Sequence, residues 1–317
     1  METKVRKLDR RSVVNYIVNA FPIISLIVVI VFFAIVTDGR SIAQRNYSAL
    51  LGEGYIIILG AIGFSFPMMQ GKMDFSIGST MAMACVFAAY AAQINLLLGV
   101  LVGVLTGVVV GAINGFLHVK LHMDAFIATI GMQYVIIGIV AVMLGGGRVS
   151  APFEMLKWNT DELKLITVIV IAIVGYFLFE RFSFGKRCRA IGSCQEMARQ
   201  SGVNIGLICF LPFLISGGIS GLLGAFSLMR TGMASLHSGD GFLLNVLTAI
   251  LMGGMPITGG SASKFRAPIL GALTVTVLSN GMSILGVSNY DSQLIKGIIF
   301  LLAIAISFDR RNVRVIK

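Results

Sequence analysis

Charge is what this sequence has least of. Only 12% of its 317 residues are Asp, Glu, Lys or Arg, about half of the roughly 25% usual in a soluble domain. Acids are the scarcer sign, 14 against 25 Lys and Arg. Four cysteines, three histidines and one tryptophan are present. Cys85, Cys188, Cys194 and Cys209 form no C-x-x-C pair, so zinc and redox motifs have no support. Cys85 and Cys209 lie in apolar runs and read as packed small hydrophobes, while Cys188 and Cys194, in a basic stretch, read as free thiols. His118 and His122 are spaced i,i+4 at a basic loop end and read as a solvated pair, and His237 is remote in sequence. No metal site follows from them. The chain has no G-x-x-x-x-G-K-[ST] loop, no H-E-x-x-H and no G-x-S-x-G. A catalytic chain is unsupported, and no cofactor is expected in it.

What is abundant is apolar surface. Hydrophobic residues make up 56% of the chain and its mean hydropathy is +0.91. One soluble core cannot hide that much, because surface area always leaves a polar skin to fill. Runs long enough to cross a bilayer, about 20 residues each, fall near 16–36, 50–69, 75–93, 95–117, 125–145, 163–180, 206–229, 242–258, 268–287 and 290–308. They are continuously apolar, which selects helices over the alternating strands of a barrel. The run at 16–36 follows a basic head but exceeds the 7–15 residues of a signal core, so it reads as a retained first span. The expectation is an all-α polytopic bundle of about ten transmembrane helices. It forms a single domain over 1–317, with cytoplasmic tails at 1–15 and 309–317 and a cytoplasmic loop at 181–204.

The charges orient it. With the N-terminus inside and every run crossing, eighteen of the Lys and Arg fall on the cytoplasmic side and six outside, with Lys296 in the last span. That bias is what the positive-inside rule requires. It turns the +11 net charge into a topology marker and removes nucleic acid as a partner. Both termini are then cytoplasmic. Lys296 sits about one turn from Asp291, close enough to the outer end to snorkel or pair there. No span carries a facing set of ionisable groups, which argues against a proton- or sodium-coupled relay.

Three features carry structure or chemistry. Gly99, Gly103, Gly107, Gly111 and Gly115 form a ladder of spacing four, a groove that lets a neighbouring helix approach closely. Pro67 and Gly71 break the backbone before Asp74, Phe75, Ser76, Ile77, Gly78 and Ser79. Asp74 is placed to cap the third span. The plain reading is a capped cytoplasmic turn; the functional one is a turn that shapes a path, with Gly71, Asp74, Ser76 and Ser79 along it. The loop at 181–204 contains Ser193-Cys194-Gln195-Glu196, the S-x-x-E capping box, and Gly202 stands where a helix would stop. A two-turn helix at 194–201 is expected, either resting on the protein's own face or docking a partner. Residues 111–117 and 271–281 are weakly alike, as an internal repeat would make them, which adds Asn280 to the candidate path.

Several of these segments resemble one family. Gly71 to Ser79 is similar to the G-G-I-D-L-S-V-G-S signature of ABC importer permeases of the ribose and simple-sugar type. Asp124 to Met132 resembles its P-P-F-I-A-T-L-G segment. Phe184 to Gly192 and Ala198 to Val203 resemble its coupling region, and Gly253-Gly254 through Gly259-Gly260 its late glycine turn. The order is kept over nearly the whole chain. Lys72 replaces a glycine, and 255–266 departs from the glycine-rich pattern. Branched-chain amino acid permeases are distant relatives, and the 74–79 pattern leans to the sugar branch. The resemblance implies a multi-pass permease of the bacterial plasma (inner) membrane. A second permease subunit, identical or different, completes the pathway; cytoplasmic ATPase subunits bind ATP and Mg; an extracytoplasmic binding protein delivers the solute; lipid surrounds the whole. Ser193 and Glu196 would cap the docking helix, Met197 and Ala198 offer apolar contact, Arg189 and Arg199 offer charge, and Ser201 and Gly202 close it. Phe126, Thr129 and Met132 share a helix face by spacing and are candidates to line the path. The rival classes are an ATP-independent transporter or channel, and an ABC permease for branched-chain amino acids or nucleosides.

Overall fold

The computed structural model describes residues 10–307, with side chains from 20 to 305. The tail at 309–317 and the first nine residues lie outside the described residues; residues 10–15 are already helical. The helices are α1 (Arg10–Val36), α2 (Tyr47–Met68), α3 (Ile77–Ala92), α4 (Leu96–Lys120), α5 (Ala125–Leu144), α6 (Phe153–Lys157), α7 (Asp161–Tyr176), α8 (Ser183–Ser193), α9 (Gln195–Gln200), α10 (Ile205–Thr231), α11 (Phe242–Met252), α12 (Arg266–Ile284) and α13 (Asn289–Ser307). The one described sheet pairs β1 (Val149–Ser150) antiparallel with β2 (Met233–Ala234). Local chemistry starts several helices. Asn95, Asp124, Thr160 and Asn204 each accept a backbone N–H of the following turn.

Each of the ten apolar runs contains a helix, but not every one is long enough for a full crossing. Six of the described helices are long and apolar enough to cross a membrane by themselves. Helix α3 has 16 residues and α11 only 11. At 1.5 Å per residue these reach roughly 24 and 16 Å, short of a hydrocarbon core of about 30 Å. The run expected at 242–258 is thus an eleven-residue helix that continues as irregular backbone through residues 253–265.

The bundle centre is α4 against α10, with α3 packed on both. The glycine ladder explains this. A Cβ on Gly107 would run into the carbonyl oxygen of Gly217, and one on Gly111 into that of Phe213. The fit is reciprocal, since Gly217 and Gly221 face the carbonyls of Gly107 and Gly103. Two helices with glycine at their crossing approach backbone to backbone.

The loops sort to two ends. One end collects Lys72, Lys120, Lys186, Arg187, Arg199, Lys264 and Arg266. There Gly260 N donates to Met69 O at 2.9 Å and Ser261 N to Ser193 Oγ at 3.1 Å, so 69–72, 193 and 260–261 are neighbours. At the opposite end β1 meets β2, Gln93 Nε2 donates to Ser150 O at 2.7 Å, and Arg230 reaches Gly52 O at 3.0 Å. Lys296 does not snorkel: it is buried, with Glu53 of α2 as the acid facing it. Asp291 accepts from Ser288 Oγ instead.

Candidate functional site

The interrupted helices build the site. After α2 ends at Met68, Gly71 adopts a left-handed φ of +70° against Thr258 O, and the chain turns back into the bundle. Asp74 is buried there. Its Oδ1 accepts from Ser76 N at 3.1 Å and Ser76 Oγ at 2.7 Å, and its Oδ2 from Ser216 Oγ at 3.0 Å. Asn114 Nδ2 donates to Ser76 Oγ at 2.8 Å. Ser216 lies about three turns inside α10 from the basic end, so Asp74 sits well within the bundle. The N-cap of α3 is Ser76, not Asp74. The aspartate instead ties the turn to α10, whose hydroxyl is 142 residues away in sequence.

From the opposite end, residues 235–241 also turn inward. Gly239 lies against the backbone of Gly78 at the start of α3, and the Phe242 ring covers Gly60, midway along α2. The two short helices therefore begin side by side inside the bundle and run to opposite ends. Irregular backbone at this depth is tolerated only where it is buried in protein or lines a cavity. A cavity of 270 Å³ is present, walled by Phe75, Gly78 and Ser79 of the first turn, Gln133 and Ile136 of α5, and Asp240 of the second turn. Asp240 Oδ2 pairs with His237 Nδ1 at 2.7 Å.

Of the path candidates, only Ser79 lines this cavity; Ser76 and Asp74 are buried and bonded to each other in the turn that leads to it. Thr129 Oγ1 accepts from Phe75 N at 3.1 Å, and Phe126 meets the Phe75 ring edge-on at 5.0 Å. Met132 packs on the core beside them. Asn280 is elsewhere. It exchanges amide hydrogen bonds of 2.7 and 3.1 Å with Asn46 at the opposite end, holding the α1–α2 link to α12. Gln133, Asp240 and His237 were not singled out as path residues in the sequence. Gln133 lies one turn beyond Thr129 on α5, so extending that face by i,i+4 would have reached it.

The expected docking helix is present as α9, with corrections. Cys194, not Ser193, occupies its N-cap, and no side chain caps it. The Ser193 hydroxyl instead accepts from Ser261 N. The segment before it, expected as loop, is helix α8, which buries Gly185, Cys188 and Ile191 on one face. Cys188 is a free thiol as expected, but a buried one, and burial pushes its pKa up to about 12. Arg189 is not presented outward. It donates to Glu180 Oε2 at 2.9 Å and stacks over Phe179. Ala198 is buried in the protein's own core. Glu196, Met197, Arg199 and Ser201 are exposed. Gly202 (φ +79°) ends the helix: its N–H bonds Arg199 O and that of Val203 bonds Ala198 O, a Schellman closure.

One expectation tests the buried aspartate. Asp74→Leu strips the acceptor from three buried donors, each costing about 1–3 kcal/mol when left unpaired. A loss of at least about 3 kcal/mol is expected in thermal unfolding of the detergent-purified chain. Asp74→Asn keeps Oδ1 for Ser76 and should lose less than half of that.

Six helices long and apolar enough to cross a bilayer, with two short helices meeting at a small cavity, define a multi-pass membrane protein. A family model described as "Branched-chain amino acid transport system / permease component" matches residues 46–304. The chain belongs to that family. It is similar to the ribose import permease protein RbsC of Escherichia coli strain K12, 26% identical over 296 residues covering 89% of this chain and 92% of the relative. RbsC of Bacillus subtilis strain 168 is 27% identical over 301 residues, 92% of each chain. The L-arabinose ABC transporter permease protein AraH of Azospirillum brasilense is 28% identical over 312 residues, 96% of this chain and 92% of its own. No solved structure gives a significant match.

Proposed function

We propose that the chain is the membrane permease subunit of an ATP-driven importer for a monosaccharide. The observation that carries this is the 270 Å³ cavity where the two short helices begin, in a chain that aligns nearly end to end with ribose and arabinose permeases. The volume lies just below the roughly 300 Å³ where ligand pockets usually start, so it suits one small ring. Ser79, Gln133 and Asp240 offer hydroxyl, amide and carboxylate partners to a polyol. The Phe75–Phe126 pair lies between this cavity and the basic end and serves as a gate.

The helices of the ten apolar runs make ten crossings in this reading, α3 and α11 each completed by its inward turn. The basic end faces the cytoplasm, which puts both termini there. A second permease subunit shares the pathway, an extracytoplasmic binding protein loads it, and ATPase subunits dock on α9. Reconstitution in liposomes with those partners is the test. Uptake of ribose or another monosaccharide should require ATP and all partners. Uptake at the full rate without an ATPase would overturn the reading in favour of a secondary transporter or channel.

A further inference from the structure

Asp74 carries a charge that its surroundings do not balance. Its side chain is buried, 1% exposed, well within the bundle. Among the described residues its polar partners are the Ser76 N–H and the hydroxyls of Ser76 and Ser216, and no Lys, Arg or His stands beside it. The lysine nearest in sequence, Lys72, donates to Cys209 Sγ at 2.9 Å instead. A bare carboxylate inside a membrane bundle is costly and is normally paired or neutralised. Helix α3 begins beside it, but a helix N-terminus offsets only about half a charge.

Asn114 of α4 adds a second, independent anomaly. It is 0% exposed. Its Nδ2 donates to Ser76 Oγ at 2.8 Å, which turns the amide into the cluster, yet Oδ1 of the same amide has no hydrogen-bond partner. A buried acceptor left unpaired is expensive. The cluster thus lacks one positive charge and one partner for a carbonyl oxygen, and a single cation supplies both. The two serine oxygens keep lone pairs free while they donate to Asp74, so each can face an ion without breaking its bond.

We propose that this cluster binds one sodium ion, held by the Asp74 carboxylate, the Ser76 and Ser216 hydroxyls and the Asn114 carbonyl oxygen. A donor set made only of oxygen suits a hard cation rather than a transition metal. With one carboxylate, a monovalent ion leaves the buried site neutral, whereas a divalent ion leaves it charged. Bonded oxygens here stand 2.7 and 3.0 Å apart, a tight spacing that favours sodium over the larger potassium. The ion ties the start of α3 to α4 and α10, and so fixes the turn that carries Phe75.

Two measurements on the full chain in detergent test this: binding of radioactive sodium by scintillation proximity, and unfolding temperature in sodium chloride against choline chloride at equal ionic strength. The wild type should bind about one sodium per chain, with potassium competing more weakly. Its unfolding temperature should rise by at least about 4 °C for a hundredfold rise in sodium above the dissociation constant, and choline should not reproduce the rise. Asn114→Ala and Ser216→Ala should each weaken sodium binding by at least about tenfold, and Asp74→Asn should abolish it. Absence of saturable sodium binding, or an equal rise in choline, overturns the site and leaves a proton to neutralise Asp74. Binding undiminished in both Asn114→Ala and Ser216→Ala also overturns it, since the sodium then sits elsewhere. If Asp74→Asn does not fold, those two variants carry the comparison alone.

Discussion

Gly107→Leu should prevent this protein from folding to a stable bundle. The leucine Cβ would strike the Gly217 carbonyl oxygen and lie 2.6 Å from Gly221 Cα. Overpacking a core against movable side chains costs typically 1–3 kcal/mol. Here the obstacle is backbone on a helix that is itself wedged against α3, so nothing can turn aside. The only relief is to separate α4 from α10, which dismantles the bundle centre. A loss of more than about 3 kcal/mol is expected, seen as aggregation or absence of a monodisperse peak in detergent chromatography. Gly131→Leu on α5 is the control. A Cβ there meets nothing within 4 Å, so yield and unfolding temperature should stay near wild type. Equal behaviour of the two variants would show that α4 and α10 do not cross where the structure places them.

That ladder illustrates what a sequence can reveal. Five glycines at spacing four announce a close helix partner, because only backbone approach requires them. They do not name the partner. Gly217 and Gly221 are also four apart, but they lie in a glycine-rich stretch with no equal regularity. The ten apolar runs were legible for a similar reason, since hydropathy reports the solvent around a segment. It does not report backbone conformation. Met255 and Ile257 extend the apolar run past α11, which is why 242–258 reads as one span, although Gly253, Gly254 and Pro256 carry the signal for the irregular backbone found there. The inward turn at 232–241 carried no hydrophobic signal at all. Its meeting with Gly78 exists only in three dimensions, and so does the Asp74–Ser216 bond.

The basic loop failed differently. S-x-x-E at Ser193 fits a capping box, but a box forms only if the serine hydroxyl has no better donor. The backbone N–H of Ser261 is that donor. Helix α8 was missed because its segment is polar, and only three positions, Gly185, Cys188 and Ile191, face inward. Glycine and cysteine add little to an apolar stripe. Two of the residues assigned to docking, Arg189 and Ala198, turned out to hold α8 and α9 onto the protein. If α9 docks the ATPase, as proposed, only its outward side is available for it.

Met197 is the apolar side chain at the centre of that surface. It is 62% exposed, so on the proposed docking it is the apolar side chain available for a partner to cover. Burying such a side chain in an ATPase cleft contributes about 1.5–3 kcal/mol, and an aspartate there adds a desolvation cost. Met197→Asp should therefore lower ATP-dependent uptake and substrate stimulation of ATPase by at least about tenfold, since 1.4 kcal/mol is a factor of ten. Stability of the permease alone should change by less than about 0.5 kcal/mol, because the side chain touches little of its own protein. A helix-breaking proline is a weaker test at this position than at the next. Met197 is the third residue of α9, where the N–H has no intrahelical partner to lose. Ala198 N donates to Cys194 O at 3.1 Å, so Ala198→Pro removes a real bond and should unwind the helix. If Met197→Asp and Ala198→Pro both leave uptake and stimulation intact, the ATPase docks elsewhere. If both abolish coupling while the purified permease keeps its unfolding temperature, α9 transmits closure of the ATPase to the gate.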